Sequence, residues 1–248
     1  MGVESSRGRP SRRDIYSHVV QSGVRNSVCS EGPTVKLTKH AHACVTLEKD
    51  GTRLVVDPGA FTPDAAQAVT QAHAVLITHE HFDHFDEKLV AAALEAQPGL
   101  QVYGTASVAA ALGSDGDRVH AVAAGDTFSV GSITATVHGH RHALIHADIP
   151  CPDNVGYLLD DGAVYHPGDA YFAPDAPVRT LLLPTSGPWT KLGEAADYVR
   201  TVKPERIIQI HELMLSDLGQ HSTANLLGEK GLTGTPIDRL EPGTTVQL

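Results

Sequence analysis

The segment Thr78-His79-Glu80-His81-Phe82-Asp83-His84-Phe85-Asp86 sets four potential metal ligands, His79, His81, Asp83 and His84, within six residues. Imidazole and carboxylate together suit a divalent transition ion such as zinc, manganese or iron, and ligand softness alone does not choose among them. The run follows the apolar stretch Ala74-Val75-Leu76-Ile77 and precedes a helical pattern beginning at Asp86. A loop anchored at both ends by regular elements can turn alternate side chains toward one point. A solvated polar loop capping a helix is the plainer reading, and the density of ligand types argues against it.

A second histidine-rich stretch, from His138 through His140 and His142 to His146, offers further ligands. Strand alternation over Ile133–His138 puts the turn near Gly139, so the ligand should project from just beyond it. His142, beside small Ala143 and backed by Leu144-Ile145, suits that better than His140 between Gly139 and Arg141. His138 and His146 remain alternatives, and His146 otherwise lines the pocket. Asp169 follows Gly168, whose missing Cβ permits a sharp turn at a strand end. His211 follows the isoleucine-rich Ile207-Ile208-Gln209-Ile210 and also falls at a strand terminus. His40 and His42 precede a strand and are expected at the pocket rim. His166 is expected as a strand residue or a support for the site, and His18, His73, His120 and His221 as surface or packing residues. Ser186 lacks the Gly-x-Ser-x-Gly surroundings of a serine nucleophile, so its segment is expected to form a pocket wall. Trp189 and Lys191 beyond it join His146 as substrate-binding candidates, and Arg141 is a second cation for an anionic group.

The elements that must position these side chains alternate strand-like and helix-like pieces. Strands are expected at Val35–Leu37, Cys44–Leu47, Arg53–Val56, Ala74–Ile77, Gln101–Tyr103, Ile133–His138, Val155–Leu159, Ala163–His166, Thr180–Leu183 and Ile207–Ile210. Helices are expected at Asp86–Gln97, Thr105–Leu112, Lys191–Val202 and Ser222–Lys230, the last stopped by Gly231. Asp86 is the expected N-cap of the first, with Leu89, Ala92, Ala93 and Ala96 on its apolar stripe. Early hairpins followed by βα units predict two packed sheets flanked by helices rather than one parallel sheet.

The chain of 248 residues carries 19 Lys and Arg against 29 Asp and Glu, for a net charge of −10. That balance argues against a nucleic-acid partner, because phosphate neutralisation needs clustered cations. No apolar run is long enough to span a membrane. Cys29, Cys44 and Cys151 are odd in number and widely spaced, which points to a reducing cytoplasm rather than a disulfide framework. Residues 1–33 carry five arginines up to Arg25 against Glu4 and Asp14. They read as a flexible basic extension, because an export signal would need an apolar run that Ser17–Ser22 does not supply. Residues 34–248 read as the single folded domain.

His-x-His-x-Asp-His after a buried strand resembles the signature of the metallo-β-lactamase-fold hydrolases. The ordered segments Leu54–Gly59, Tyr165–Asp169 and Ile207–His211 are similar to the family's later landmarks, so the resemblance spans roughly Val35 to Val246. More narrowly, it resembles the small metal-dependent hydrolase branch that includes ascorbate-phosphate lactonase-like proteins. The resemblance implies an α/β fold, an αββα sandwich of two packed mixed β-sheets. It also implies two divalent ions, zinc foremost, with manganese or iron compatible. His79, His81 and a mid-chain histidine would hold the first ion, and the family's Gly-x-x-His-Ala context favours His142. Asp83, His84 and His211 would hold the second, and Asp169 would bridge both. The implied activity is hydrolysis of a small ester, lactone or phosphoester by a metal-bridging hydroxide, with Asp83 as the catalytic residue that also orients the nucleophile. Two other readings, a non-catalytic metal-binding sensor or scaffold and a nuclease, fit less well. The first is disfavoured by an intact ligand set, the second by an acidic chain without a substrate-binding module.

Overall fold

The computed structural model describes Met1 and residues 34–113 and 116–248. The extension expected over 1–33 lies, apart from Met1, outside the described residues, and Cys29 and His18 lie there with it.

The first sheet contains β1 (Lys36–Lys39), β2 (Val45–Lys49), β3 (Thr52–Val56), β4 (Ala74–Leu76), β5 (Gln101–Gly104) and β6 (Val119–Ala121) in sequential order. β2 and β3 form a hairpin whose two-residue turn, Asp50-Gly51, has positive φ at both positions, the geometry that matches strand twist. β3 to β6 then run parallel, joined by α1 (Ala65–Val69), α2 (Glu87–Ala96) and α3 (Ala106–Leu112). The second sheet orders β7 (Thr127–Val130), β8 (Ile133–His138), β9 (Gly156–Leu159), β10 (Val164–His166), β11 (Thr180–Pro184), β12 (Arg206–Ile210) and β13 (Ile237–Asp238). Its first four strands are antiparallel and its last four parallel, with α4 (Leu192–Val202) between β11 and β12 and α5 (Asp217–Leu227) after β12. The final strand, β14 (Thr245–Gln247), returns to pair with β1 and closes the first sheet's edge.

Alternation sorts each sheet into two faces. Leu37, Leu47, Leu54 and Leu76 of the first sheet meet Ile133, Val137, Tyr157 and Ile208 of the second in the central core. The outer face of the first sheet packs Val75, Ile77 and Val102 on Val90, Leu94 and Val108 of the helices. The outer face of the second packs Leu181, Leu183 and Ile207 on Ala195, Val199 and Leu227. Helices thus cover both sides of two mixed sheets, the architecture expected from the sequence. No helix of the described residues is long and apolar enough to cross a membrane.

Two expectations are corrected. The last helix opens at Asp217 rather than Ser222, because the Ser216 side chain accepts a hydrogen bond from Gly219 N and caps it early. It ends before Gly228, well short of Gly231. The core stripe of α2 is Val90, Ala93 and Leu94. Leu89 packs against the same cluster from its edge, whereas Ala92 and Ala96 face a groove shared with Ala66 and Val69 of α1. Asp86 does cap α2, accepting from Leu89 N. α1, β6, β7, β13 and β14 were not foreseen; they are short pieces whose pairing comes from neighbours rather than from a strong local pattern.

Tyr157 ties the two sheets beside the histidine loop. It is fully buried, and its hydroxyl donates to the carbonyls of Ile77 at 3.0 Å and Tyr103 at 3.2 Å. Tyr157→Phe takes the donor from the Ile77 carbonyl, while the Tyr103 carbonyl keeps its bond from Ile77 N–H at 2.8 Å, and should cost about 1–3 kcal/mol. Denaturant unfolding checks it, and an unchanged midpoint would contradict the bridging role.

Candidate metal centre

The histidine loop leaves the end of β4 and is gripped from below by Asp57. The Thr78 backbone N–H and hydroxyl both donate to the Asp57 carboxylate at 2.8 Å. Asp57 sits at φ 50, and Gly59 beyond it lets the two loops touch: a Cβ there would lie 2.0 Å from the Asp83 carbonyl oxygen. His84 and Phe85 N–H groups both return to the His81 carbonyl at 2.9 Å, forming the turn that presents alternate side chains inward before α2 begins.

The other strand ends bring the remaining groups to the same place. Gly168, at φ 63, packs where a Cβ would meet the Asn154 side chain at 2.3 Å, and Asn154 accepts from Asp169 N. His142 follows β8, and the next residue's N–H bonds the Asp169 carbonyl at 2.8 Å. His211 ends β12 at φ 54, and its N–H donates to the carbonyl of His42, itself at φ 57. Of the eight non-glycine residues with left-handed backbone among the described residues, three, His42, Asp57 and His211, meet at this locus.

Two ligand-like groups result. His79, His81, His142 and Asp169 form one, and His42, Asp83, His84 and His211 the other, with the donor atoms of each group within 4.8 Å of one another. Asp169 lies on the seam. Its Oδ2 is 3.3 Å from His142 Nε2 and 3.2 Å from His211 Nε2, and its Oδ1 is 3.1 Å from His84 Nε2. Asp83 Oδ2 lies 3.1 Å from His42 Nε2 and 3.4 Å from His211 Nε2.

Neighbours set the ring orientations. His84 Nδ1 donates to Asp57 Oδ2 at 2.7 Å, which aims Nε2 at Asp169. His142 Nδ1 donates to the Ala143 carbonyl at 2.6 Å, with the same result. The Thr78 hydroxyl is already committed as a donor to Asp57, so it accepts from His79 Nδ1 at 3.0 Å and leaves Nε2 facing His81. Fixing one ring nitrogen so that the other points to a common centre is how proteins prepare imidazole for a metal. His166 supports from outside, donating to the Ala43 carbonyl and accepting from Gly168 N.

Electrostatics point the same way. Burial opposes ionisation of Asp83 and Asp169, yet His211 and His42 hold Asp83 below the ordinary carboxylate range, and His84 and His211 hold Asp169 well below it. Burial pushes His42 down to about 4 and His79 well below its ordinary value, leaving both neutral and able to donate a lone pair. For His84, the carboxylates of Asp169 and Asp57 outweigh burial and raise it well above normal. For His211, Asp169 raises it to about 9 against burial. The carboxylates draw positive charge to the centre, and a divalent cation satisfies the same field.

The fit to metal can be tested on the polar atoms themselves. Among the described residues, nine buried side-chain nitrogens and oxygens have no hydrogen-bond partner, and six belong to His42, His84, His142, Asp169 and His211. Each such atom costs about 1–3 kcal/mol unless something ligates it. Ions held at His84 Nε2, His142 Nε2, His211 Nε2 and Asp169 Oδ1, the atoms of this set that face one another, would remove that cost there.

All seven residues read from the sequence as metal ligands, His79, His81, Asp83, His84, His142, Asp169 and His211, come together here. The other mid-chain histidines do not: His140 is exposed, His138 packs against Tyr165, and His146 is exposed beside Asp148. Trp189 is buried, donating from Nε1 to Asp169 Oδ2 at 2.9 Å. Lys191 is exposed and pairs with Glu194. The rim position expected for His40 and His42 is corrected. His40 is buried between Asp64 and Thr46, and His42 is fully buried against Asp83. His42 and Asp57 are the functional groups that sequence reasoning missed. Ser186 is buried behind the site, its hydroxyl donating to the His211 carbonyl.

Residues 36–211 match the model of the beta-lactamase superfamily domain. A UPF0173 metal-dependent hydrolase of Myxococcus xanthus is 32% identical over 86% of this chain and 83% of its own length. Protein Rv0786c of Mycobacterium tuberculosis is 37% identical over 73% of this chain and 86% of its own. Among solved structures, the metallo hydrolase Igni18 of Ignicoccus hospitalis superposes with a TM-score of 0.67 at 21% identity, covering 87% of this chain and 98% of the other. The chain belongs to the beta-lactamase superfamily and, within it, to the UPF0173 metal-dependent hydrolases.

Proposed function

We propose that this metal-dependent hydrolase works with two divalent ions, zinc foremost, on a small ester, lactone or phosphoester. The observation that carries the reading is Asp169, a buried carboxylate whose two oxygens reach histidines of both ligand groups. His79, His81 and His142 would hold one ion, Asp83, His84 and His211 the other, with His42 within reach of the second and Asp169 shared. Such ions supply a nucleophilic hydroxide near neutral pH and polarise the substrate oxygen.

The chain's own groups do the rest. Asp83, held ionised between His42 and His211, is placed to accept a hydrogen bond from the attacking water and orient it. Asp57 and Thr78 keep the loop fixed while charge develops. Arg141, adjacent to His142 in the chain, and Lys191, two residues past Trp189, are exposed cations suited to an anionic substrate group. His146, also exposed, is the further residue we assign to substrate. The net charge of −10 supports a small-molecule substrate rather than nucleic acid. The free thiols Cys44 and Cys151 support a cytoplasmic setting.

The test is a panel of small lactones, carboxylic esters and phosphodiesters offered to zinc- and manganese-loaded protein. Hydrolysis of at least one class should appear, vanish with chelator and return with metal. Metal-loaded protein inert to all three classes would contradict the reading.

A further inference from the structure

The chain has one tryptophan, and it is spent on the carboxylate at the centre of the site. Trp189 is 7% exposed, and its indole Nε1 donates to Asp169 Oδ2 at 2.9 Å. That is the oxygen lying between His142 and His211, one from each ligand group. Asp169 Oδ1 faces His84 Nε2 at 3.1 Å, so the indole is the non-histidine donor that sets Oδ2 apart from it.

The indole is itself held in place. Its ring meets Tyr171 edge-on with centroids 5.0 Å apart, and the Tyr171 hydroxyl is anchored on the Pro184 carbonyl. Gly187, at φ 137, supplies the room: a Cβ there would sit 3.0 Å from the indole nitrogen. The Thr190 hydroxyl closes the turn onto the Gly187 carbonyl at 2.9 Å. A bulky apolar ring could be packed in many ways. This one is packed so that its single polar atom meets the carboxylate.

We propose that Trp189 is a positioning residue for Asp169: its N–H fixes the carboxylate rotamer and so sets metal affinity. A carboxylate on a free Cβ–Cγ bond can swing either oxygen toward either ligand group. With Oδ2 held on the seam by a rigid donor, Oδ1 is left toward His84, and the geometry for sharing between two ions exists before they arrive. Loss of such an outer partner typically weakens metal binding 10–100-fold. The assignment moves Trp189 from substrate contact to support of the centre, and it rests on the two-ion reading above.

The test compares zinc affinity, measured by competition with a chromophoric chelator, for three proteins. These are wild type, Trp189→Phe, and full-length protein in which the tryptophan is replaced biosynthetically by benzothienylalanine. The last keeps the ring's shape and exchanges N–H for sulfur. Both altered proteins should bind at least one zinc about 10–100-fold more weakly, with the benzothienyl protein melting like wild type in the metal-free state. Wild-type indole emission, coming from this residue alone, should change as zinc is added. Wild-type zinc affinity in the benzothienyl protein overturns the proposal while leaving the two-ion reading standing. Emission that ignores zinc while the chelator shows it bound does the same. Wild type that takes up no ion overturns the two-ion reading, and the role of Trp189 with it.

Discussion

Asp169→Ala should reduce turnover by more than about 100-fold, beyond the 10–100-fold typical of groups that only support a ligand. It should also lower the metal content of the purified protein at both positions. The expectation follows from placement. Asp169 is 3% exposed and meets His84, His142 and His211, so its removal takes negative charge from both ligand groups at once. Two cations held close together without that shared charge repel each other, and the His84 ring loses one of the two carboxylates that balance it. Metal analysis beside steady-state kinetics checks both parts. Normal turnover with two ions retained would show that Asp169 is not shared between them.

His142→Ala should empty one position and leave the other largely filled, whereas His140→Ala should retain wild-type metal. His142 is 4% exposed, with Nδ1 tied to the Ala143 carbonyl and Nε2 facing Asp169. Its ring also lies edge-on to His79 and His81, with centroids 5.0 Å and 4.8 Å away. His140, one residue past positive-φ Gly139, stands in solvent. Identical preparations of the two variants settle the assignment by metal content alone. Loss confined to His140→Ala would reverse it, and equal loss in both would remove the distinction drawn here.

Most of this site was legible before the fold was known because its ligands announce themselves locally. His79, His81, Asp83 and His84 share one loop between a buried strand and a capped helix, so their convergence is a local event. Asp169 and His211 could be read as strand-end residues from Gly168 and the isoleucines before His211. What escaped was whatever only tertiary packing creates. His42 sits in the β1–β2 turn, distant in sequence from the loop it touches, and nothing in Ala41-His42-Ala43 signals a left-handed backbone that swings the ring inward. Asp57 looked like the end of a strand. Its charge matters because β3 lies parallel beside β4, which brings the carboxylate under Thr78 and His84. The donor role of Trp189 was equally hidden, since an indole N–H finds its acceptor only when β10 and β11 are side by side.

The fold shows the same division. The long, well-patterned strands of both sheets were visible as apolar runs, and Asp86 as a helix cap. The late helix was misplaced because Ser216 caps it from a stretch whose exposed Leu213, Met214 and Leu218 suggest no helical stripe. Short edge pieces such as β13 and β14 exist because a neighbouring strand offers unpaired backbone, which no local pattern encodes.

We propose that His42, His79, His81, Asp83, His84, His142, Asp169 and His211 form one centre for two ions. Elemental analysis of protein purified in the presence of zinc or manganese, normalised to chain concentration, tests it most directly. Two ions per chain are expected. At most one ion per chain, even after metal supplementation, would contradict it.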